Sequence, residues 1–116
     1  MAEERRVSRI DELRQQIDEL DERLVELLSA RATCALQIGH EKKLLGLEVY
    51  QPSRETEVLG HVQRINLGPL DNEAIKRLFE RIIDEARRLE RIADESTRHD
   101  GAIRKPEIVS TRYLWW

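Results

Sequence analysis

The chain has 116 residues, of which 37% are charged and 4% aromatic, and its net charge is −3. Its acidic and basic residues are interleaved without a basic block, which argues against a nucleic-acid-binding surface. The single cysteine excludes an intrachain disulfide and a cysteine-based zinc site, and no apolar run is long enough to cross a membrane. Few glycines and prolines among so many charged residues favour long amphipathic helices, so we predict a small all-α domain.

The first predicted helix runs from about Arg5 to Leu45. At 1.5 Å per residue its length is roughly 60 Å, about twice what a compact domain of this size needs. Because its own chain offers such a helix little to pack against, we expect a second copy of the chain to cover it. Its apolar stripe has the alternating spacings of three and four typical of one helix face: Ile10, Leu13, Ile17, Leu20, Leu24 and Leu27.

Two further helices are predicted beyond Gly46. The second helix runs from Ser53 to about Asn66, because the proline before it is tolerated in a first helical turn. The third helix begins after Asp71, a residue type that caps helix N-termini. Its apolar residues recur at helical spacing: Ile75, Leu78, Phe79, Ile82, Ile83, Ala86 and Leu89.

The helical pattern ends near Ser96, so we expect one helical domain over residues 1–96 and a tail over 97–116. The tail contains a glycine, a proline and mixed polarity, and it predicts neither a helix nor a strand. Its last four residues, Tyr113 to Trp116, are strongly apolar. They would dock on the protein's own surface, bind a partner or form an adventitious end, and the cost of exposing such groups favours docking. The N-terminal segment lacks the apolar core of a secretion signal, so we expect a cytoplasmic protein.

Two charged residues interrupt the apolar stripes. Arg31 lies on the stripe of the first helix, and Glu90 lies on that of the third, four residues after Ala86. Arg31 and Lys42 are three turns apart, so they share a face at about 16 Å along the axis and could hold a small anion between them. Arg14 lies about 25 Å from Arg31 and is rotated by about 100°, so it could reach that anion only from another chain.

Structural ion pairing is the alternative interpretation of Arg31, because a buried guanidinium demands a partner of some kind. Glu41, on the same stripe, or Glu55 could provide it. Lys42 and Arg54, taken singly, would be ordinary surface residues. The spacing alone leaves both interpretations open. The histidines lack the spacing of a metal site, and no glycine-rich phosphate loop or Ser/His/Asp pattern is present, so we expect no metal site.

Three segments of the chain carry these residues in a specific order: LRQQIDELDERLVELLSAR, IGHEKKLLGLEVYQPSRETEVL and GPLDNEAIKRLFERIIDEARRLE. They contain the motifs Leu-Arg-x-x-Ile-Asp-x-Leu-Asp, Ile-Gly-x-x-Lys, Val-Tyr-x-Pro-x-Arg-Glu and Gly-Pro-Leu. Over about residues 10 to 93, the chain resembles the AroQ-type, all-α chorismate mutases. The resemblance implies an intertwined homodimer with two equivalent sites, and rearrangement of chorismate to prephenate in aromatic amino-acid biosynthesis without a cofactor.

The resemblance also implies a role for each charged site residue. Arg14 would reach from the other protomer to one substrate carboxylate, and Arg31 would hold a carboxylate from its own chain. Lys42 would contact a carboxylate and the ether oxygen. Glu90 stands where the family places Gln or Glu against that same oxygen, and Arg54 would line the pocket.

Three further positions complete the implied site. Glu55 would take a substrate hydroxyl. Gln51 replaces an Asp that is common in the family, and Ala86 replaces a common Ser, which removes one side-chain hydrogen bond to the substrate. At position 90 a glutamate donates a hydrogen bond only while it is protonated, so we expect burial to raise the pKa of Glu90.

Two other functions are compatible with these residues. An isochorismate pyruvate-lyase would share the fold and the anion-binding residues. A non-catalytic regulatory or dimerisation module of the shikimate pathway would keep only the helices, and a complex with another enzyme of that pathway is a further expectation. The joint presence of five charged residues argues against a mere scaffold: Arg14, Arg31, Lys42, Arg54 and Glu55.

Overall fold

The computed structural model describes residues 1–48 and 51–99, with side chains described as far as residue 96. Three helices make up these ranges: α1 (Ala2–Leu44), α2 (Pro52–Ile65) and α3 (Asn72–His99). The described ranges contain no strand, so the prediction of an all-α, three-helix fold is confirmed for these ranges. Helix α3 continues three residues beyond its predicted end, and the remainder of the predicted tail lies outside the described residues. None of these helices combines the length and apolar character needed to cross a bilayer.

The chain divides into two compact units, Met1–Arg31 and Ala32–Trp116. The first unit consists of α1 up to Arg31. The apolar stripe predicted for this helix is open to solvent, with exposures between 41% and 66% for its six members. Most helical stability in proteins comes from packing an apolar face. This unit therefore requires a packing partner for its exposed stripe.

The second unit has a small core where α2 packs against α3. Val58 and Val62 of α2 are buried, as are Ile83 and Ala86 of α3 and Ala35 near the end of α1. Their spacings of three and four residues place each pair on one helix face. The buried face of α3 therefore lies where the sequence pattern predicts it.

Helix α1 ends in a turn that requires glycine. Gly46 has a φ angle of 72°, a left-handed conformation that glycine adopts without a steric penalty. Its N–H donates to the carbonyl of Lys43 at 3.0 Å, and the N–H of Leu47 donates to the carbonyl of Lys42 at 2.8 Å. This pair of bonds is the Schellman pattern. It fixes the end of α1 at Leu44, two residues after Lys42.

Helix α3 starts at the predicted cap. Asp71 Oδ1 accepts a hydrogen bond of 2.7 Å from the N–H of Ala74, which satisfies one of the amides left without a partner at a helix start. The preceding loop is held by Asn66, whose Nδ2 donates to the carbonyl of Leu70 at 2.7 Å and to Asn72 Oδ1 at 2.9 Å. These bonds set the starting point of α3.

We expect Ile83→Ala to lower the free energy of unfolding by about 2–5 kcal/mol, because it opens a cavity where only 2% of the side chain is exposed. The matched control is Ile65→Ala at a site that is 59% exposed, and it should cost less than about 1 kcal/mol. Chemical denaturation followed by circular dichroism measures both. Equal losses would contradict the placement of the core.

Candidate active site

Lys42 is a buried charge in the second unit. It lies in the last turn of α1 and is 5% exposed. Burial lowers the pKa of Lys42 from 10.5 to about 8, because the ammonium loses solvation, and the negative charge of Glu90 partly opposes this shift. The side chain is therefore still mainly protonated at neutral pH, and α1 holds a positive charge where little water reaches it.

Glu90 approaches α1 at Gly39. A Cβ atom at this buried glycine would lie 3.5 Å from Glu90 Oε2, so the carboxyl group sits close against the helix. Gly39 and Lys42 are three residues apart and share one face of α1. The structure thus brings together two of the residues predicted to be catalytic, Lys42 and Glu90.

A second ion pair joins the same two helices. Lys43 Nζ donates to Asp94 Oδ1, and the two side chains are 38% and 31% exposed. Asp94 lies four residues after Glu90 on α3, so consecutive lysines of α1 meet carboxylates on consecutive turns of α3. A half-exposed pair of this kind adds modest stability. It favours the alignment of α1 with α3 that places Lys42 near Glu90.

Glu55 of α2 forms an ion pair with Arg87 of α3. The side chains are 19% and 29% exposed, and Arg87 Nη1 also lies 3.7 Å from Asp84 Oδ1. Arg87 was not among the predicted site residues. The sequence does hold a signal for it, because Arg87 follows Ile83 by four residues and therefore falls at the edge of the apolar stripe.

The second unit also holds three other predicted residues. Arg54 is half-buried in the first turn of α2, where its Nη1 donates to Glu57 Oε2 at 3.2 Å. Gln51 is the residue that precedes α2, and its buried Oε1 accepts no hydrogen bond from the described part of the chain. Ala86 is 4% exposed on α3. It therefore belongs to the packed face of that helix.

The remaining two predicted residues, Arg14 and Arg31, belong to the first unit. Arg14 is exposed, and its Nη1 lies 3.7 Å from Asp11 Oδ1 one turn earlier on α1. Exposed pairs of this kind contribute little, so Arg14 can exchange Asp11 for another anion at small cost. Arg31 is the last residue of the unit and is half-buried.

The chemistry available in the second unit is electrostatic. A buried ammonium stabilises negative charge that develops beside it, because water does not screen the interaction. A carboxyl group donates a hydrogen bond when it is protonated and accepts one when it is ionised. Within the described ranges, no three His, Cys, Asp or Glu side chains cluster in a way that could hold a metal ion.

Comparison with known proteins identifies the family. The family model for chorismate mutase type II matches residues 13–91. The chain belongs to this family. The resemblance seen in the sequence is thereby confirmed, and the matched range includes Arg14, Lys42 and Glu90.

Individual relatives agree with the family match. A bifunctional chorismate mutase/prephenate dehydratase from Pseudomonas aeruginosa is 46% identical over 83 residues, which cover 67% of this chain and 23% of that protein. A protein of the same name from Aquifex aeolicus is 34% identical over 86 residues, covering 71% of this chain and 24% of that protein. The chain thus matches less than a quarter of the length of these two relatives.

A solved structure supports the fold. The chorismate mutase (form II) from Thermus thermophilus matches with a TM-score of 0.69 and 36% sequence identity, covering 72% of this chain and 94% of that chain. The all-helical fold described above is therefore similar to that of a chorismate mutase over nearly the whole length of the solved chain.

We expect the stability of the wild type to rise with pH between about 8 and 10.5 relative to that of Lys42→Met. In the folded state Lys42 releases its proton near pH 8, whereas in the unfolded chain it keeps the proton to about pH 10.5. The unfolded state then binds more protons in this interval, so stability increases with pH. The burial penalty is fully present below pH 8, and its relief should approach about 3 kcal/mol.

Urea denaturation at a series of pH values measures this effect. Lys76→Met is the matched control, because it removes a lysine of α3 and leaves the Lys43–Asp94 pair intact. The control should keep the pH dependence of the wild type. A parallel pH dependence for the wild type and Lys42→Met would contradict the lowered pKa of Lys42.

Proposed function

We propose that the chain is a chorismate mutase that rearranges chorismate to prephenate. The observation that carries the proposal is the burial of Lys42 beside Glu90 in a member of this family. Chorismate is a dianion that rearranges within itself, and negative charge grows on the ether oxygen as the C–O bond breaks. The enzyme must hold the reactive conformer and stabilise that charge. A buried ammonium next to a hydrogen-bond donor suits the second task.

Lys42 and Glu90 act on the ether oxygen in this proposal. The ammonium of Lys42 opposes the growing negative charge, and the protonated carboxyl group of Glu90 donates a hydrogen bond to the same atom. Before substrate binds, the two opposite charges stabilise each other. A bound dianion competes for the ammonium and places further negative charge beside Glu90, which favours protonation of its carboxyl group.

The other predicted residues bind and orient the substrate. Arg31 holds one carboxylate, because a guanidinium matches a carboxylate with two parallel hydrogen bonds. Glu55 accepts a hydrogen bond from a substrate hydroxyl, and Arg54 lines the pocket. Gln51 contacts the substrate, and a contact through its backbone would not be lost with the replacement of Asp.

We also propose that two chains form an intertwined homodimer. The apolar stripe in Met1–Arg31 is exposed in the single chain, and apolar contact contributes roughly 25 cal/mol for each Å² removed from water. A second copy of α1 offers a stripe of the same length and spacing, as a two-fold symmetric interface requires. Arg14 of the partner subunit would then reach the second substrate carboxylate.

An enzyme that consumes prephenate is the proposed functional partner. The relatives from Pseudomonas aeruginosa and Aquifex aeolicus carry both activities in one name, chorismate mutase/prephenate dehydratase. This pairing supports a place for the present chain in the shikimate pathway, next to an enzyme acting on its product. We propose that both work in the cytoplasm.

We expect purified protein to convert chorismate to prephenate, with the product identified by NMR. Arg31→Ala should lower kcat/KM by about 100-fold or more, because a substrate carboxylate loses a charged, two-point partner. The matched control is Arg81→Ala, since Arg81 is exposed on α3 and contacts Glu85 of its own helix at 2.7 Å. The control should retain wild-type activity.

Three results would count against parts of this assignment. Wild type that leaves chorismate unchanged would favour the non-catalytic module. Release of pyruvate from isochorismate, in preference to chorismate turnover, would favour the lyase. Equal activity in Arg31→Ala and the wild type would contradict only the role of Arg31 and leave the rest of the assignment in place.

We expect two inactive variants to restore activity when they are mixed. In a heterodimer of Arg14→Ala and Lys42→Ala, one site receives both wild-type residues and the other receives neither. Random reassembly from equal amounts makes about half of the dimers mixed, so activity should return to about a quarter of the wild-type value. The measurement is chorismate turnover after joint unfolding and refolding. Activity no higher than that of the separate variants would contradict the shared site.

We expect turnover by the wild type to fall as pH rises, because Glu90 must carry a proton to donate its hydrogen bond. Glu90→Gln supplies an amide donor at every pH, so its activity should stay constant until Lys42 titrates. That remaining fall should begin below pH 8, because the variant lacks the negative charge that raises the pKa of Lys42. The pH dependence of kcat and kcat/KM tests this, and an unchanged profile in Glu90→Gln would refute the role.

A further inference from the structure

We infer that Arg87 is a positioning residue that holds the carboxylate of Glu55, in its ionised form, for the substrate hydroxyl. The inference rests on the proposed function for the role of Glu55. Neither the sequence motifs nor the family resemblance pointed to Arg87. Its assignment depends on the pair that the two side chains form between α2 and α3.

The pair lies beside the packed core of the second unit. Glu55 precedes the buried Val58 by three residues on α2, and Arg87 follows the buried Ile83 by four residues on α3. These spacings place each charged residue one turn from a core residue on the same side of its helix. Movement of either side chain is therefore limited by the helix contact next to it.

The geometry of the pair holds the Glu55 carboxylate in one orientation as a hydrogen-bond acceptor. Arg87 Nη2 meets Glu55 Oε1, which is buried from solvent. The guanidinium does not lose its charge in proteins, so it favours the ionised form of the carboxylate facing it. An ionised carboxylate only accepts hydrogen bonds, and its second oxygen, Oε2, has acceptor positions of its own. A hydroxyl donor would meet that oxygen in a fixed orientation.

The charged groups around the pair make other contacts. Arg54, next to Glu55 on α2, donates to Glu57 on its own helix. On α3, Asp84 lies 3.7 Å from Arg87 Nη1 and helps to hold the guanidinium. From α1, two lysines approach carboxylates of α3: Lys42 faces Glu90 and Lys43 pairs with Asp94. Among these groups, Arg87 is the cation that the structure shows in an ion pair with Glu55.

The test compares three variants of the full chain. Arg87→Met removes the charge and keeps most of the length, and we expect it to lower kcat/KM for chorismate by about 10- to 100-fold. The acid limb of its kcat/KM profile should move to higher pH, because Glu55 without the facing cation takes up a proton more readily. Arg87→Lys should recover most of the activity and the original limb. Arg88→Met, at an exposed arginine that contacts Glu85 of its own helix, should match the wild type.

A direct measurement tests the effect of the Arg87 charge on Glu55. In protein labelled with ¹³C at the glutamate carboxyl groups, Glu55→Gln identifies the Glu55 signal, and its titration should move to higher pH in Arg87→Met. A residue that merely braces the helices would change stability and leave kcat/KM of the folded variant and its acid limb unchanged, which would overturn the inference. An unchanged Glu55 titration in Arg87→Met would also overturn it, because the guanidinium would then not act on the carboxylate. If Arg87→Met does not fold, Arg87→Gln tests the same loss of charge. A wild type that leaves chorismate unchanged while the titration shifts would overturn the proposed function instead.

Discussion

The arrangement of the second unit depends on the burial of an ammonium group at Lys42. Taking a charge out of water is costly, and the lowered pKa of Lys42 records that cost. The negative charge of Glu90 offsets part of it. One helical turn corresponds to 5.4 Å, so a shift of α1 along α3 by a single turn would separate the two charges. The neighbouring Lys43–Asp94 pair favours the alignment that keeps them together.

The positions of the helices could be predicted from the sequence because local signals determine them. Gly46 ends α1 and Asp71 caps α3, and both residues act on backbone within a few positions of themselves. Glu90 could also be recognised from a local signal, because it lies one helical turn after Ala86 on an otherwise apolar stripe. The contacts of the site were harder to predict. Lys43 and Asp94 are 51 residues apart. Local sequence patterns do not predict which turn of one helix packs against which turn of another.

Arg87 shows the limit of such prediction most clearly. Two arginines stand side by side at positions 87 and 88, and composition does not distinguish them. Packing does, because Arg87 faces Glu55 across the helix contact whereas Arg88 stays with Glu85 on its own helix. A rotation of about 100° per residue is enough to make one a part of the site and the other a solvent-exposed residue. Only the relative rotation of α2 and α3 decides between them.

The glycine at position 39 has a consequence for how such a site can change. A Cβ atom there would lie 3.5 Å from Glu90 Oε2, which is ordinary van der Waals contact rather than a clash. Glu90 Oε2 is already buried from solvent, so a methyl group in place of one hydrogen would add apolar contact without displacing the oxygen or exposing it to water. Alanine also favours a helix interior over glycine by about 1 kcal/mol. A single substitution could therefore stiffen the end of α1 and leave the surroundings of the acid on α3 closed.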